Sequence, residues 1–447
     1  MKIVKDNKTF HFSPTQILAL GFLLIILVGA FLLSLPFSTS SGTSIGFMNA
    51  LFHATSAVCV TGLSVVNTAR DLSLIGQIIT IILVQIGGLG FMTIATMISL
   101  ISGKRITLKE RLIIQEALNH FTLEGVVRLT KNILATTFIL EFVGATFLAF
   151  RFIPMYGWIK GIYFSLFHSI SALCNAGFDL MGNSLMSFHG DIIINFTIMA
   201  LIILGGLGFS VLRDIFYHRY HFRKWSLHTK LVLLTTVILL AGGFSFFFIM
   251  EYSNVLADFS FLDKIIASLF HTVTARTAGF YSTSLEEIRE ATKFFTIVLM
   301  FIGASPASTG GGIKTVTVMV IILTVKSVIE GKDDIEIFRR RIPYSIANRA
   351  LAIAVISLSF LVFVTIIFSI VEPFPFIDLL FQTASALGTV GLASFDNSKL
   401  SSISKLLTII CMYVGRVGPL TLTLALAKRQ SSNNNKIKYP EDIIMVG

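Results

Sequence analysis

Charge is scarce in this chain: Asp, Glu, Lys and Arg make up 13% of its 447 residues, where soluble domains carry about 25%. So few charges cannot clothe a water-soluble surface around a sequence that is 54% apolar and holds 41 phenylalanines. Cysteine is nearly absent. Cys59, Cys174 and Cys411 lie in apolar or repeated segments without paired spacing, which excludes a disulfide framework and leaves them as small buried residues. No convergent set of acids, histidines or metal ligands appears at apolar depth, so an enzyme is disfavoured. A nucleotide-binding fingerprint is also missing: G-x-G-x-x-G is incomplete at Gly88, and Lys314 does not follow a glycine directly as a Walker lysine must.

Long apolar runs are what the chain has instead. They cover Gln16–Pro36, Ile75–Ile101, Ile133–Ile153, Ile192–Leu212, Leu231–Met250, Phe294–Val325, Ile346–Val371 and Ile403–Ala427, each near the roughly 20 residues of a spanning helix. The reading is an all-α, multi-pass membrane protein with eight transmembrane helices. The first run is too long for a signal peptide core and lacks an A-x-A site, so it is read as an uncleaved span. A net charge of +11 suggests nucleic-acid binding until its distribution is considered. With both termini cytoplasmic, 24 of the 35 basic residues fall in cytoplasmic segments, nine fall outside, and Lys314 and Arg416 remain within the membrane. That asymmetry is a topology signal in a cell-membrane protein, not a nucleic-acid surface.

One pattern recurs four times: LFHATSAVCVTGLS from Leu51, LFHSISALCNAGFD from Leu166, LFHTVTARTAGFY from Leu269 and LFQTASALGTVGLA from Leu380. Every copy runs from Leu-Phe through small residues to a glycine, namely Gly62, Gly177, Gly279 or Gly391, with the third copy one residue shorter. A segment such as Phe52–Thr61 spans about 15 Å as a helix, half a bilayer, so it can enter but not cross. The chain is thus expected to form four units of spanning helix, re-entrant pore loop and spanning helix (M1-P-M2), with pseudo-fourfold symmetry about one pore. The expected boundaries are a cytoplasmic N-terminus 1–14, repeat 15–102, linker 103–127, repeat 128–214, linker 215–228, repeat 229–325, linker 326–345, repeat 346–428 and a cytoplasmic C-terminus 429–447. The linkers are basic. The stretch GKRITLKERLIIQEALNHFT, with apolar Leu112, Ile113, Ala117 and Phe121, reads equally as an interfacial helix or a solvated connector, as do 219–230 and 326–349.

Backbone carbonyls converging on an axis can replace the hydration shell of K⁺. Glycine permits the backbone this needs, and the negative end of each half-helix points at the ion. The residues beside the glycines, Val60-Thr61, Asn175-Ala176, Thr277-Ala278 and Thr389-Val390, supply no carboxylate ring. Coordination of K⁺ by main chain at these twelve positions is the expected selectivity filter, with close helix packing as the competing use of the glycines. Asp179 either adds negative potential at the mouth or is a solvated loop acid. His53, His168 and His271, replaced by Gln382 in the fourth copy, are read as packing or capping groups. Below the filter, Gly303, Ala304, Ser305, Pro306, Ala307, Ser308, Thr309, Gly310, Gly311 and Gly312 interrupt an apolar span. Glycine costs up to about 1 kcal/mol and proline about 3 in a helix interior, so the stretch reads as an intramembrane gating loop or else a kink. Arg416, deep in the last apolar run, is expected both to oppose cations and to bond the loop's carbonyls, with a structural arginine satisfied by carbonyls away from the pore as the alternative. Lys314 is expected to snorkel. Glu141 is buried in its run, with no partner evident from the sequence.

These four glycine-bearing copies resemble the Trk/Ktr/HKT superfamily of K⁺ transporters, closest to the membrane subunits of bacterial Ktr systems, over essentially the whole chain. The resemblance implies a homodimer on a cytoplasmic nucleotide-binding gating ring of RCK type (KtrA/KtrC-like), an intramembrane gating loop, and no covalent cofactor. It further implies K⁺ as the transported ion, with Na⁺ as a possible activator or coupling ion. Members with serine at the first filter glycine tend toward Na⁺, whereas glycine at all four positions resembles the K⁺-selective group. A Na⁺ transporter of the same fold and a membrane scaffold remain the alternatives.

Overall fold

A computed structural model describes residues 13–90, 93, 96–97, 112–114, 126–219, 221–419 and 421. The expected N-terminal and C-terminal tails and most of the first linker lie outside the described residues. Helices dominate: α1 (Pro14–Ser34), α2 (Phe47–Cys59), α3 (Leu74–Leu89), α4 (Val126–Tyr156), α5 (Trp158–Leu173), α6 (Ile192–Leu207), α7 (Phe209–His218), α8 (Leu227–Glu251), α9 (Phe261–Thr274), α10 (Glu290–Phe301), α11 (Thr315–Ile329), α12 (Tyr344–Val371), α13 (Phe376–Gly388) and α14 (Ser402–Val417). Their starts are written locally. Ser13 caps α1 in a reciprocal box with Gln16, Pro14 takes the first helical position, and Ser226 and Ser401 cap α8 and α14.

Among the described residues four helices, α1, α4, α8 and α12, are long and apolar enough to cross a membrane, or five if the bent pair α6–α7 counts as one span. Continuous spans expected over Ile75–Ile101, Ile192–Leu212 and Ile403–Ala427 are interrupted instead. Helices α3, α6 and α14 each stop after 16 residues, at Gly90, Gly208 and Gly418. These glycines have φ of +79°, +91° and +93°, a conformation that residues with a Cβ avoid. After Gly208 the chain turns by 97° into α7. The run Phe294–Val325 breaks in a longer way, leaving helix at Phe301 and resuming at Thr315.

The four repeated segments fall in α2, α5, α9 and α13 and the turns after them. These helices have 13 to 16 residues, starting upstream of the Leu-Phe pair rather than at it, so they reach about 20 to 24 Å. They pack as a closed cycle: α3 against α5, α6 against α9, α10 against α13, and α14 against α2. Within three of the units, the second helix also leans on its own half-helix through a glycine at matching places in QIGGLGF, ILGGLGF and YVGRVGP. A Cβ on Gly87, Gly205 or Gly415 would run into the carbonyl of Val58, Leu173 or Leu387, one turn before the corresponding ring glycine. The fourth counterpart, Gly303, lies against Gly311 instead.

The linker 326–345 is not an interfacial helix, and its Lys332, Arg339, Arg340 and Arg341 are exposed as in a solvated connector. It holds a hairpin of β1 (Ile335–Ile337) and β2 (Arg340–Ile342), paired antiparallel with Ile335 opposite Ile342. Phe338 and Arg339 both take positive φ, +50° and +60°, matching the twist of a two-residue hairpin. Turns of that kind usually announce themselves with Asn-Gly, so Phe-Arg gave no signal. Burial of Ile335 and Ile342 against α11 and α12 holds the hairpin in place.

Overpacking at a backbone contact typically costs about 1–3 kcal/mol, so Gly205→Val lowers the thermal unfolding midpoint of the purified protein. Gly242 in α8 has open space where its Cβ would be, and Gly242→Ala leaves the midpoint unchanged or raises it. Equal shifts for the two substitutions would refute the close-packing role.

Candidate functional site: a ring of four glycines

Two left-handed residues shape each copy. Gly62, Gly177, Gly279 and Gly391 have φ of +93°, +69°, +80° and +97°, and the residues two positions earlier, Val60, Asn175, Thr277 and Thr389, have +57°, +57°, +77° and +50°. Left-handed backbone at β-branched residues is strained, and a shared set of hydrogen bonds holds it. The amides of Thr61, Ala176, Ala278 and Val390 donate to the carbonyls of Ser56, Ser171, Thr274 and Ser385 at 2.8–3.0 Å. The hydroxyls of the same four residues pin the turn further. Ser56 and Ser385 accept from the amides of Gly62 and Gly391, both at 3.0 Å. Ser171 and Thr274 donate to the carbonyls of Phe178 and Phe280, at 2.8 and 2.6 Å. This hydroxyl occupies the sixth position of every copy, a regularity present in the sequence that the glycine-centred reading passed over.

The copies meet at their glycines. A Cβ on Gly62 would lie 2.6 Å from the carbonyl oxygen of Ala176, one on Gly177 2.7 Å from that of Ala278, and one on Gly279 2.7 Å from that of Val390. On Gly391 it would strike the carbonyl oxygen of Thr61, which closes the circle. All four of those carbonyl-bearing residues are fully buried. On one side the ring opens into a cavity of about 760 Å³ lined by all four glycines together with Asp71, Asp179, Glu286, Asp396 and Arg70. Asp179 does more than face solvent: its Oδ1 accepts from the amides of Met181 and Gly182 at 2.8 and 2.6 Å. Burial pushes the Asp396 carboxyl up, but bonds from the amide and hydroxyl of Ser398 and the nearby Lys399 and Lys405 prevail and hold it below the usual carboxylate range.

On the other side the segment Ile302–Lys314 packs under the ring. Gly311 donates its amide to Thr389 Oγ1 at 3.0 Å, and Thr309 donates its hydroxyl to the carbonyl of Leu173 at 3.2 Å. A Cβ on Gly310 would collide with Thr277. Across from these, Ser305 and Thr309 donate their amides to the carbonyls of Gly206 and Gly205, and the carbonyl of Ala307 accepts from Phe209. Pro306 lies against Gly208, Gly303 and Gly312 pack together, Ala304 is fully buried, and the buried Ser308 hydroxyl has no partner among the described residues. Arg416 bridges three elements: it donates to the carbonyl of Thr309 in the segment and to those of Gly87 and Gly88 at the end of α3. Lys314 does not snorkel. Its ammonium turns back to the Gly310 carbonyl at 2.7 Å, because the broken backbone exposes an acceptor closer than water.

The histidines stand behind the ring, not in it. His53 bridges Ser64 and Thr80 at 3.0 and 3.1 Å, His168 accepts from the amide of Leu180, and His271 pairs with Thr296 at 3.0 Å. Gln382 has neither amide atom paired among the described residues. Glu141 finds its partner in Gln85, whose amide donates to it at 2.8 Å. Arg276, counted among the external cations, is 6% exposed beside the third ring glycine, with Thr236 at 3.4 Å.

The chain matches the family model described as TrkH: Cation transport protein over residues 14–437. It belongs to that family of multi-pass membrane transport proteins and is not an enzyme. Among curated relatives it is 46% identical to the Ktr system potassium uptake protein B of Bacillus subtilis over 100% of both chains. It is 41% identical to the potassium/sodium uptake protein NtpJ of Enterococcus hirae, also over 100% of both. A third relative, the Ktr system potassium uptake protein B of Vibrio alginolyticus, is 38% identical over 97% of this chain and 94% of its own. The crystal structure of the potassium transporter TrkH from Vibrio parahaemolyticus shares the fold, with a TM-score of 0.75 over 94% of this chain and 86% of that one at 19% identity.

Removing a hydroxyl that satisfies a buried amide costs about 1–3 kcal/mol. Ser56→Ala therefore lowers the midpoint of thermal unfolding, and an unchanged midpoint would show that the Gly62 amide does not rely on this hydroxyl.

Proposed function

We propose that this chain is the ion-translocating subunit of a potassium uptake system. Four M1-P-M2 units supply eight spans: α1 to α3, α4 to α6, α8 to α11 with the broken helix counted as one, and α12 to α14. K⁺ enters from the acidic cavity and sheds water against carbonyls of Val60-Thr61-Gly62, Asn175-Ala176-Gly177, Thr277-Ala278-Gly279 and Thr389-Val390-Gly391. The observation that carries this reading is the closed cycle in which each ring glycine lies against the carbonyl preceding its neighbour's glycine. Such a cycle brings four sets of main-chain oxygens to one axis with no carboxylate among them. The C-terminal ends of α2, α5, α9 and α13 add a negative potential there.

The segment 303–312 and Arg416 act as the gate. The hydrogen bonds tying the segment to Thr389, Leu173 and Arg416 support a closed position under the ring. Opening is assigned to a cytoplasmic partner, a nucleotide-binding ring of RCK type acting on a homodimer of this chain with both termini in the cytoplasm. The relatives' names as parts of a Ktr system support the existence of a partner subunit. A second reading, in which Na⁺ is carried too or activates transport, is favoured by the potassium/sodium name of the Enterococcus hirae relative.

Expression with a cognate ring restores growth of a K⁺-uptake-deficient bacterium at low K⁺; absence of both rescue and flux would sink the proposal. Gly279→Ser places a side chain against the Val390 carbonyl and weakens K⁺ over Na⁺ discrimination, so unchanged ion competition contradicts the carbonyl filter. Arg416→Ala releases the segment and raises Rb⁺ uptake severalfold in vesicles, and an unaltered rate puts the gate elsewhere.

A further inference from the structure

Helix α7 leaves α6 at Gly208 with a bend of 97°, so with α6 read as a span, as in the transport reading above, α7 runs close to the membrane plane. One face of α7 is spoken for: Val211, Leu212 and Ile215 pack with Val232 and Val316. The opposite face carries Arg213, Phe216 and Tyr217 at helical spacing, with Phe216 85% and Tyr217 81% exposed. Just beyond, Arg219, Arg223 and Lys224 are exposed as well, and Trp225 fixes the turn by donating to the carbonyl of Arg219 at 3.2 Å. Asp214, the one carboxylate between residues 209 and 230, is consumed internally. It accepts from His218 Nδ1 at 2.8 Å, the Ser226 amide at 2.9 Å and the Thr229 hydroxyl at 2.5 Å. Among the described residues no carboxylate pairs with Arg213, Arg219, Arg223 or Lys224.

Aromatic rings beside uncompensated guanidinium groups on an in-plane helix match the layered chemistry of a membrane surface. Rings settle at the level of the headgroups, and arginine forks onto phosphate oxygens. We propose that α7 and the turn after it form a site for anionic phospholipid headgroups, and that its occupancy is felt by the segment under the ring. The mechanical link is short. Phe209, the first residue of α7, donates its amide to the carbonyl of Ala307 at 3.0 Å, and Gly208 is packed on Pro306. The flux consequence rests on the transport reading above, whereas the headgroup site needs only α6 as a span. A soluble protein docking on this face is the competing occupant, disfavoured because the two most exposed groups are aromatic and lie on the same in-plane face as Arg213.

The full chain is purified and its retention of phosphatidylglycerol measured by native mass spectrometry, for the wild type and for the triple variant Arg219→Gln, Arg223→Gln, Lys224→Gln. Retention falls roughly tenfold or more in the variant, and Phe216→Ser with Tyr217→Ser also weakens it. Rb⁺ flux is then compared in vesicles of phosphatidylcholine alone and of phosphatidylcholine with phosphatidylglycerol. The wild type changes rate with the anionic lipid and the triple variant does not. Undiminished phosphatidylglycerol retention in the triple variant overturns the proposal, as does loss of a regulatory protein's binding with lipid retained. A wild-type rate that ignores lipid composition overturns the link to the segment. Lost retention with no flux in either vesicle upholds the headgroup site and counts against the transport reading instead.

Discussion

Backbone pressed on backbone is the constraint on which the rest of this molecule depends. At the ring, four glycines leave no room for a β-carbon, and an approach that close fixes the positions of the helices behind it. Left-handed residues two positions upstream are the geometric condition for the turn. The sixth-position hydroxyls are the means of holding it. One layer out, Gly87, Gly205 and Gly415 let α3, α6 and α14 come close enough to clamp the ends of α2, α5 and α13. A larger residue in either layer would push the helices apart, since interiors this dense do not yield.

Much of this was legible because it repeats. Four copies of one motif identify equivalent positions even where residues differ, and hydropathy alone separates the chain from soluble proteins. Less legible were features that depend on what a residue meets in space. The apolar runs hid the breaks at Gly90, Gly208 and Gly418, because a glycine within an apolar stretch reads as helix until its φ is known. Arg276 was counted with the external cations by charge alone, although it stands three residues before the third filter glycine in a segment expected to re-enter, and it is buried. The partner of Glu141, Gln85, is 56 positions away, beyond any local pattern. The turn at Phe338 and Arg339 uses residues that seldom adopt it.

The third copy departs from the others in both layers. Its half-helix turn is one residue shorter, and its second-layer glycine, Gly303, packs on its own segment rather than on α9. That frees Ile302–Lys314 from the clamping role and lets it reach under the neighbouring copies. Two cations then attach to carbonyls that would otherwise be bare: Arg416 from the fourth copy and Lys314 from the segment itself. Cohesion beneath the ring therefore adds charge-assisted bonds to main chain to the amide and hydroxyl bonds at Thr389, Leu173, Gly205 and Gly206, whereas the turns within the ring are held by amide and hydroxyl bonds.

The ring also has a direction. Each glycine leans on the next copy's carbonyl, Gly62 on Ala176, Gly177 on Ala278, Gly279 on Val390 and Gly391 on Thr61, and never on its own. A bulky group at one glycine thus displaces the oxygen of the following copy while leaving its own turn bonded. The shortest approach always falls on the following copy, so a lesion is felt first at the position after the one that carries it.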